Sequence, residues 1–224
     1  MLTGKIGNEI INCYDGTRSK EQLKNWAKKK IILCPACNKP YEYCHGRVKI
    51  PYFRHMDKAK CEDKYSESET EEHLCGKRDL YEWIIKQNGV KNAILEGWIP
   101  ETKQRPDIMF EYNNKKYVIE YQCSPIASEY FERHDLYQAV GIHDIWICGT
   151  EKYFGSNKRM NTLEESSHVY YDFKNKFLYV VDNIPEATFK EIKKLASWRE
   201  NLTTKYKQQK YSKRPFHVMM NIFD

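Results

Sequence analysis

The chain has 224 residues, 41% of them hydrophobic, which supplies a core for one medium domain or for a small module plus a catalytic-sized domain. No apolar run reaches the roughly 18 residues of a membrane span and no signal peptide opens the chain, which argues against a membrane partner and favours a cytoplasmic protein. The net charge of +6 is compatible with a polyanionic partner. Eight cysteines would stay reduced in the cytoplasm, so those with paired spacing are expected to bind metal.

Residues 1–67 are predicted to form a small metal-binding module. A short basic helix over 21–30 and a strand over 31–33 precede Cys34 and Cys37. The Cys-x2-Cys spacing of this pair offers two thiolates to one tetrahedral ion. A structural Zn²⁺ would replace part of a core that about 60 residues can barely build.

The other two ligands of the predicted zinc site must come from residues downstream of this pair. His55 and Cys61 are preferred, because residues 49–55 are predicted to return as a strand that delivers His55 after a hairpin. Cys44 and His45 are the other candidates, but adjacent residues in a turn can rarely both reach one metal ion. The predicted zinc ligands are therefore Cys34, Cys37, His55 and Cys61.

Residues 68–150 are predicted to form the core, which begins with a helix over 70–87 capped by Thr70. His73 and Lys77 lie one turn apart on this helix and flank its apolar stripe. Two interpretations stay open at this point. The pair points into a cleft, or it consists of a first-turn histidine and a solvated lysine.

The rest of the core is predicted to contain a strand over 93–98, a hairpin over 105–124, a helix over 128–140 and a buried strand over 144–148. Glu96, at the end of the first strand, either approaches a metal cluster from the side or is a solvated strand-end residue. The succession α-β-β-β-α-β predicts an α/β (α+β) fold, in which a mixed sheet carries helices on both faces. The last strand joins that sheet by a right-handed crossover.

The hairpin over 105–124 contains two strands joined by an Asn-Asn turn. With a two-residue loop, the numbers of paired residues sum to a constant, so Asp107 lies opposite Glu120 and Arg105 lies opposite Gln122. Side chains of a strand alternate between its faces, so all four residues are predicted to project from the same face of the hairpin.

Asp107 and Glu120 would place like charges about 5 Å apart, which repel each other unless something compensates them. Together with the amide oxygen of Gln122 they offer hard oxygen ligands to a divalent cation of the magnesium type. The alternative is that Asp107 pairs with Arg105 or Lys116 while Glu120 pairs with another basic neighbour.

Residues 151–224 are predicted to form a C-terminal extension of the core. A hairpin is expected on either side of residues 174–176, followed by an amphipathic helix over 187–201. The tail over 205–216 is basic and contains interleaved tyrosine and phenylalanine, as segments that track phosphates and stack on bases do. Such charge runs are, however, usually solvated.

Several motifs in this order resemble the competence protein CoiA-like family and, more widely, the PD-(D/E)xK restriction-endonuclease-like nucleases. They are CPAC, YFRH with a following cysteine, ETEEH-x3-K, RPDI, IEYQCS, F-x-R-x3-Y (Phe131, Arg133 and Tyr137) and IWI, and they span residues 30–150. The resemblance implies a restriction-endonuclease-like αβββαβ core with a preceding zinc-ribbon-like module. It also implies a Mg²⁺- or Mn²⁺-dependent nuclease that acts in DNA processing during DNA uptake and recombination.

Carried over by position, the resemblance makes Asp107, Glu120 and the carbonyl of Tyr121 the ligands of the catalytic cation. Gln122 stands where many relatives carry lysine, so it could position water but supplies no charge. Lys77 could supply that charge from the helix. The further candidates are Glu72, His73, Lys77 and Glu96 for catalysis, and Arg105, Arg133 and Tyr137 for DNA binding.

Two functions from different classes fit these residues. In the first, the chain is a divalent-metal-dependent DNA endonuclease whose zinc module and basic tail hold the substrate. In the second, the same fold binds DNA or a recombination partner and cleaves poorly or not at all. The uncharged Gln122, at a position where many relatives carry lysine, favours this second function. A homodimer is expected to make paired nicks, and a monomer is expected to cut single strands or ends.

Overall fold

The computed structural model describes residues 1–46, 49–56, 61–63, 69–123, 129–149, 168–172, 177–181 and 208–210. The helices in these ranges are α1 (Lys20–Lys28), α2 (Glu71–Ile84) and α3 (Glu129–Ala139). The strands are β1 (Thr3–Ile6), β2 (Glu9–Asn12), β3 (Tyr41–Cys44), β4 (Tyr52–His55), β5 (Lys91–Leu95), β6 (Ile108–Tyr112), β7 (Lys115–Gln122), β8 (Ile142–Gly149), β9 (His168–Asp172), β10 (Phe177–Val181) and β11 (Gln208–Lys210).

The first module contains two hairpins and one helix. β1 pairs antiparallel with β2, β3 pairs antiparallel with β4, and α1 packs against β3. The strand-like segment predicted over 31–33 is present only as single antiparallel bridges of Leu33, to Lys5 and to Pro40. The turn that begins at Cys34 interrupts any longer ladder there, since the carbonyl of Cys34 accepts the N–H of Asn38.

α2 packs against β7 at a position where the helix carries a glycine. The predicted cap is confirmed, because the Thr70 hydroxyl accepts the backbone N–H of His73. A Cβ atom on Gly76 would lie 2.2 Å from Cε1 of Tyr121, a distance that no pair of non-bonded carbons tolerates. The absence of a side chain at Gly76 is therefore what lets α2 approach the sheet.

Gly76→Ala tests this close approach. We expect the variant to lower the free energy of unfolding by about 2 kcal/mol, because the Tyr121 ring must shift within a packed core. Without the contact to Tyr121, replacing glycine by alanine in a helix should raise the free energy of unfolding by about 1 kcal/mol. A net stabilisation would therefore contradict a close approach of α2 to Tyr121. Urea denaturation measures the difference, with Gly46→Ala as the control because nothing lies within 4 Å of a Cβ atom at that position.

The strands of the main sheet, among the described residues, have the order β11-β10-β9-β8-β7-β6-β5. β5, β6 and β7 are antiparallel neighbours, and β8 joins β7 in parallel after the crossover through α3. The observed order of elements is α2, β5, β6, β7, α3 and β8. The predicted mixed sheet is therefore confirmed.

The β6–β7 hairpin has the predicted two-residue turn. Asn113 and Asn114 have φ angles of 49° and 61°, in the left-handed region that a type I′ turn requires at both of its central positions. The observed register, extended by one residue, places Asp107 opposite Glu120. Local turn chemistry is thus enough to bring the two carboxylates to neighbouring strands.

Different helices cover the two faces of this hairpin. Side chains of α2 share one core cluster with one face, which carries Ile108, Phe110, Tyr117, Ile119 and Tyr121. The opposite face carries Met109 and Val118, which pack with Tyr137 of α3 and Ile142 of β8. A polar residue at the end of the hairpin can therefore meet partners from either helix.

The predicted hairpin on either side of residues 174–176 is present as β9 and β10. β9 pairs in parallel with β8, so the main sheet continues across the predicted boundary at residue 150. Tyr171 of β9 is fully buried, and its hydroxyl donates to Asp79 of α2 at 2.8 Å. The predicted helix over 187–201 lies outside the described residues, as does most of the basic tail. No helix that the structure describes is long and apolar enough to cross a membrane.

Candidate functional site

Four residues of the first module form one group that could hold a metal ion. Each of Cys34, Cys37, His55 and Cys61 offers one ligand atom, and these atoms all lie within 4.8 Å of one another. The Cys37 Sγ and His55 Nε2 atoms are 3.3 Å apart, and the Cys34 and Cys61 Sγ atoms are 3.7 Å apart. The structure thus brings together the four residues that the sequence favoured. His45, an alternative ligand, instead has Nδ1 2.9 Å from the Tyr43 hydroxyl.

The protonation of this group depends on its burial. Burial lowers the pKa of His55, which favours the neutral imidazole that a metal ligand needs. Burial also raises the pKa of Cys61 to about 12, so a cation must displace a proton from this thiol. The pKa of Cys34 is raised by burial but lowered overall, because the Tyr41 hydroxyl and nearby backbone N–H groups stabilise its thiolate.

A second group, which we call the acidic site, consists of Glu69, His73 and Asp107. Their ligand atoms also lie within 4.8 Å of one another. The His73 ring stands between the two carboxylates, with Nε2 3.1 Å from Asp107 and Nδ1 3.6 Å from Glu69. The backbone N–H of Tyr121 donates to Asp107 at 2.8 Å and so fixes the carboxylate against β7. The helix and the hairpin thus meet at Asp107.

Lys77 neutralises the carboxylates around the acidic site. Its side chain is 1% exposed, and its Nζ atom pairs with Glu69, with Glu96 at 2.5 Å and with Asp107 at 3.4 Å. Burial lowers the pKa of Lys77, but the three carboxylates outweigh burial and hold the pKa well above its usual value. His73 and Lys77 therefore point inward, and the solvated-lysine interpretation is wrong because α2 turns this side toward Asp107.

The carboxylates of the acidic site are held ionised. Burial raises the pKa of Asp107 and of Glu69, but the positive charge of Lys77 and the contact with His73 lower both pKa values well below the usual range. The same contact acts on the imidazole. Burial lowers the pKa of His73, and the charge of Asp107 raises it overall. The two carboxylates and the imidazole are therefore accompanied by two ammonium groups, those of Lys77 and of the N-terminal Met1, which pairs with Glu69.

Glu96 links the first module to the acidic site. Its carboxylate accepts the backbone N–H of Leu2 at 2.9 Å and both the N–H and the hydroxyl of Thr3 at 2.8 Å, while it also pairs with Lys77. Burial raises the pKa of Glu96, but Lys77 lowers it to about 2. The solvated strand-end interpretation is therefore wrong, because β1 covers this residue.

Glu120 has a different set of partners. Arg133 and the hydroxyl of Tyr137, both on α3, donate to the same oxygen of its carboxylate. Burial raises the pKa of Glu120 to about 7, with a smaller contribution from the charge of Asp107, and Arg133 limits the rise. Asp107 and Glu120 thus lie opposite each other in register but are held by different helices.

The remaining predicted site residues are spread around these groups. Gln122 is half-buried at the end of β7. Glu72 accepts the hydroxyl of Tyr121 at 3.4 Å. Arg105 is buried and donates to Tyr41 at 3.0 Å and to Asp63 at 2.9 Å.

The predicted DNA contacts are all paired within the protein. Arg105 contacts the first module, Arg133 lies over the Trp146 ring at 5.1 Å, and Tyr137 is fully buried against Glu120. Their roles in DNA binding stay predictions.

Glu69 is the main site residue that the sequence did not single out, although a quoted motif contains it. It lies two residues before α2, as the first residue of the ETEEH-x3-K motif. Its spacing of four residues before His73 and eight before Lys77 could have found it, since these intervals repeat on one side of a helix. Asp63, the partner of Arg105, carries no comparable pattern.

Comparison with known proteins places the chain in a family. The family model described as "Competence protein CoiA, nuclease-like domain" matches residues 69–222, more than half of the chain. The chain belongs to the CoiA family. A second CoiA model, described as "Competence protein CoiA, N-terminal domain", matches residues 16–64. The acidic site therefore lies within the part that matches the CoiA nuclease-like domain, and the Cys/His group lies within the N-terminal match.

One curated CoiA relative is the competence protein CoiA of Bacillus subtilis (strain 168). It is 33% identical over 135 residues, which cover 60% of this chain and 34% of that protein. The chain thus spans about a third of the length of this relative. No solved structure matches the chain. The predicted membership of the CoiA family is confirmed.

Proposed function

We propose that this CoiA-family chain is a divalent-metal-dependent nuclease that hydrolyses phosphodiester bonds in DNA in the cytoplasm. The observation that carries the proposal is the convergence of Glu69, His73 and Asp107 within the part that matches the nuclease-like domain. The order of α2, β5, β6, β7, α3 and β8 supports a PD-(D/E)xK-like core, in which one carboxylate precedes the second strand and another lies on the third.

The donors of the acidic site fit a divalent cation. Two carboxylates supply the oxygen ligands that Mg²⁺ and Mn²⁺ prefer. The imidazole nitrogen of His73 favours binding of Mn²⁺ over Mg²⁺. When bound, such a cation supplies positive charge that polarises a phosphodiester and lowers the pKa of a water molecule. Glu120, the other predicted ligand, stays a candidate because it lies opposite Asp107.

The residues of the chain have distinct tasks in this proposal. Lys77 keeps Glu69 and Asp107 ionised, and the backbone N–H of Tyr121 orients Asp107. Lys77 is fully buried among carboxylates, so it supports the ligands rather than approaching a phosphate. Gln122 supplies an uncharged hydrogen-bonding group at the position where many relatives carry lysine.

The Cys/His group fits a structural Zn²⁺. Zinc–sulfur bonds of about 2.3 Å in a tetrahedron place two sulfur atoms about 3.8 Å apart. The Cys34 and Cys61 sulfur atoms already lie 3.7 Å apart. Three cysteines and one histidine also form a closed ligand set, which is typical of structural rather than catalytic zinc.

A second function is a DNA-binding or recombination-accessory protein that does not cleave. The observation in favour of this function is that the positive charges near the acidic site are paired with carboxylates of the protein itself. Gln122 carries no charge, Lys77 is neutralised by three carboxylates, and Arg133 is neutralised by Glu120. No other lysine or arginine that the structure describes forms an ion pair with Asp107, so transition-state charge would have to be stabilised by the bound metal alone.

Cleavage of supercoiled, linear duplex and single-stranded DNA separates the two functions. Zinc-loaded protein is incubated with Mn²⁺, with Mg²⁺ or without added metal. The nuclease proposal expects cleavage that a divalent cation restores after its removal, and faster cleavage with Mn²⁺ than with Mg²⁺. Folded protein that binds DNA in a salt-dependent way but cuts none of the three substrates would contradict the nuclease and favour the accessory function.

A further inference from the structure

The net positive charge of the chain lies toward its two ends. Residues 1–56 contain 11 lysine and arginine residues and 4 aspartate and glutamate residues, a net charge of +7. The whole chain has a net charge of +6, so the remaining residues carry −1 in total. Residues 68–150 carry a net charge of −5 and residues 151–224 carry +5, so a polyanion is attracted to the first module and to the basic tail rather than to the predicted core over 68–150.

Helix α1 and the turn after it carry much of this charge. We call their lysines the α1 lysine surface, which is defined by Lys20, Lys24, Lys28, Lys29 and Lys30. Lys20 is half-buried and the other four are exposed. None of the five forms an ion pair among the described residues.

The described acidic residues of the first module form no ion pair with this surface, and Glu21, in the first turn of α1, is the one acidic residue of that helix. Glu9 pairs with Arg18 and Glu42 pairs with Arg54, so two of the four acids are neutralised by arginine. In the nuclease-like part, by contrast, the buried cations Lys77 and Arg133 are paired with carboxylates. The lysines of α1 thus differ from those cations in both exposure and pairing.

The geometry of α1 suits a row of phosphates. Leu23 and Ala27 bury one side of the helix in the core, which fixes the helix on the first module. Lys24 and Lys28 are one turn apart and separated by about 6 Å along the helix axis. Successive phosphates of one DNA strand are about 3.4 Å apart along the duplex axis, so the distance between the two lysines is close to two phosphate steps.

The helix dipole favours Lys28 in the last turn of α1, but helix stability does not explain the lysines at positions 20 and 30. Lys20 opens the helix, where the helix dipole disfavours a cation. Lys30 follows the helix end with a φ angle of 58°, and it donates its N–H to Ala27 while Ile31 donates to Trp26. This is a Schellman motif, whose left-handed position glycine occupies at lower conformational cost than lysine.

We propose that the α1 lysine surface binds the phosphate backbone of DNA, as a contact separate from the acidic site. The identity of the polyanion as DNA rests on the proposed function, whereas the binding itself needs no cleavage. Exposed lysines without carboxylate partners recognise phosphates through charge, so binding is insensitive to base sequence and strongly dependent on salt.

The test compares Lys24→Gln/Lys28→Gln/Lys29→Gln with wild type by fluorescence anisotropy. Labelled duplex and single-stranded DNA are titrated at about 50 to 200 mM salt, without Mg²⁺ or Mn²⁺. We expect the duplex affinity to fall about tenfold or more. The slope of log K against log salt should become shallower by about 0.9 for each phosphate that the variant no longer neutralises. Glutamine has a helix propensity close to that of lysine, so α1 should persist.

The matched control is Lys86→Gln/Lys91→Gln/Lys103→Gln, which removes three exposed lysines from the nuclease-like part. It should keep wild-type affinity and slope. An equal fall in affinity in this control, or wild-type binding by the α1 variant, would overturn the proposal. Binding of wild type to vesicles of anionic lipid but not to DNA would also overturn it.

Lys30→Gly separates binding from folding. Glycine suits the left-handed position, so the melting temperature should stay the same or rise, while DNA affinity falls and the salt slope becomes shallower. Unchanged affinity in this variant would count against a phosphate contact at Lys30.

If wild type cleaves DNA with Mn²⁺ but the α1 variant binds as tightly, only this inference fails. If wild type binds through these lysines but never cleaves, only the nuclease proposal fails.

Discussion

Asp107→Asn is expected to reduce metal-dependent DNA cleavage by about 10³-fold or more. Asp107 is the one residue of the acidic site that contacts His73, Lys77 and the backbone of β7 together. Asparagine keeps the size of the side chain and can still accept the N–H of Tyr121, but it removes the charge that holds a cation. Cleavage rates measured over a range of Mn²⁺ concentrations test this expectation.

A direct measurement of metal binding distinguishes lost catalysis from lost structure. Titration calorimetry with Mn²⁺ should show a site in wild type that is absent or much weaker in Asp107→Asn. The control is Asp144→Asn, since Asp144 is also buried but accepts from Gln138 and Trp146 away from the acidic site. We expect that variant to keep Mn²⁺ binding. A folded, zinc-loaded Asp107→Asn protein that cleaves at the wild-type rate would refute the acidic site as the catalytic centre.

Cys37→Ser is expected to remove bound zinc and to destabilise the first module by several kcal/mol. Cys37 lies 3.3 Å from His55 within the Cys/His group, and the loss of one thiolate opens a closed tetrahedral site. Few apolar residues are available to replace the metal in a module of this size. Metal content by mass spectrometry and thermal melting with and without chelator measure the two effects.

Cys44→Ser is the matched control for this variant. Cys44 lies in the same module, is also half-buried and ends β3, but it does not belong to the Cys/His group. It should keep one zinc ion and the wild-type melting temperature. A Cys37→Ser protein that retains zinc and stability would show that Cys37 is not a ligand.

Unfolding of the first module is also expected to lower the rate of DNA cleavage. Glu96 accepts from Thr3 of β1 and pairs with Lys77, so it connects that module to the acidic site.

Local patterns were enough to predict some parts of the site. The Asn-Asn turn and the alternation around it predict the β6–β7 hairpin, and the turn length sets its register, so Asp107 could be placed opposite Glu120. The Cys-x2-Cys pair and the returning strand predict the Cys/His group for a similar reason. The two carboxylates, and likewise Cys34, Cys37 and His55, lie in or beside a hairpin or knuckle whose geometry follows from short-range backbone conformation, whereas Cys61 comes from beyond β4.

The partners of the charged residues could not be predicted in this way. Glu120 faces the donors of α3, whereas Asp107, one strand away, faces α2. Which helix covers which face depends on the packing of apolar side chains across the whole sheet. The same packing buries Arg105 beside Asp63, a pair separated by 42 residues.

Sequence patterns were enough to predict the order of the core elements, the hairpin register, the Cys-x2-Cys knuckle and the family, because each depends on residues close together along the chain or on motifs in a set order. Only the tertiary structure decided that Glu69 joins His73 and Asp107, and that Lys77 is shared among three carboxylates. Buried charges must be paired, and the available partners are those that folding brings within a few ångströms, however far apart they lie along the chain.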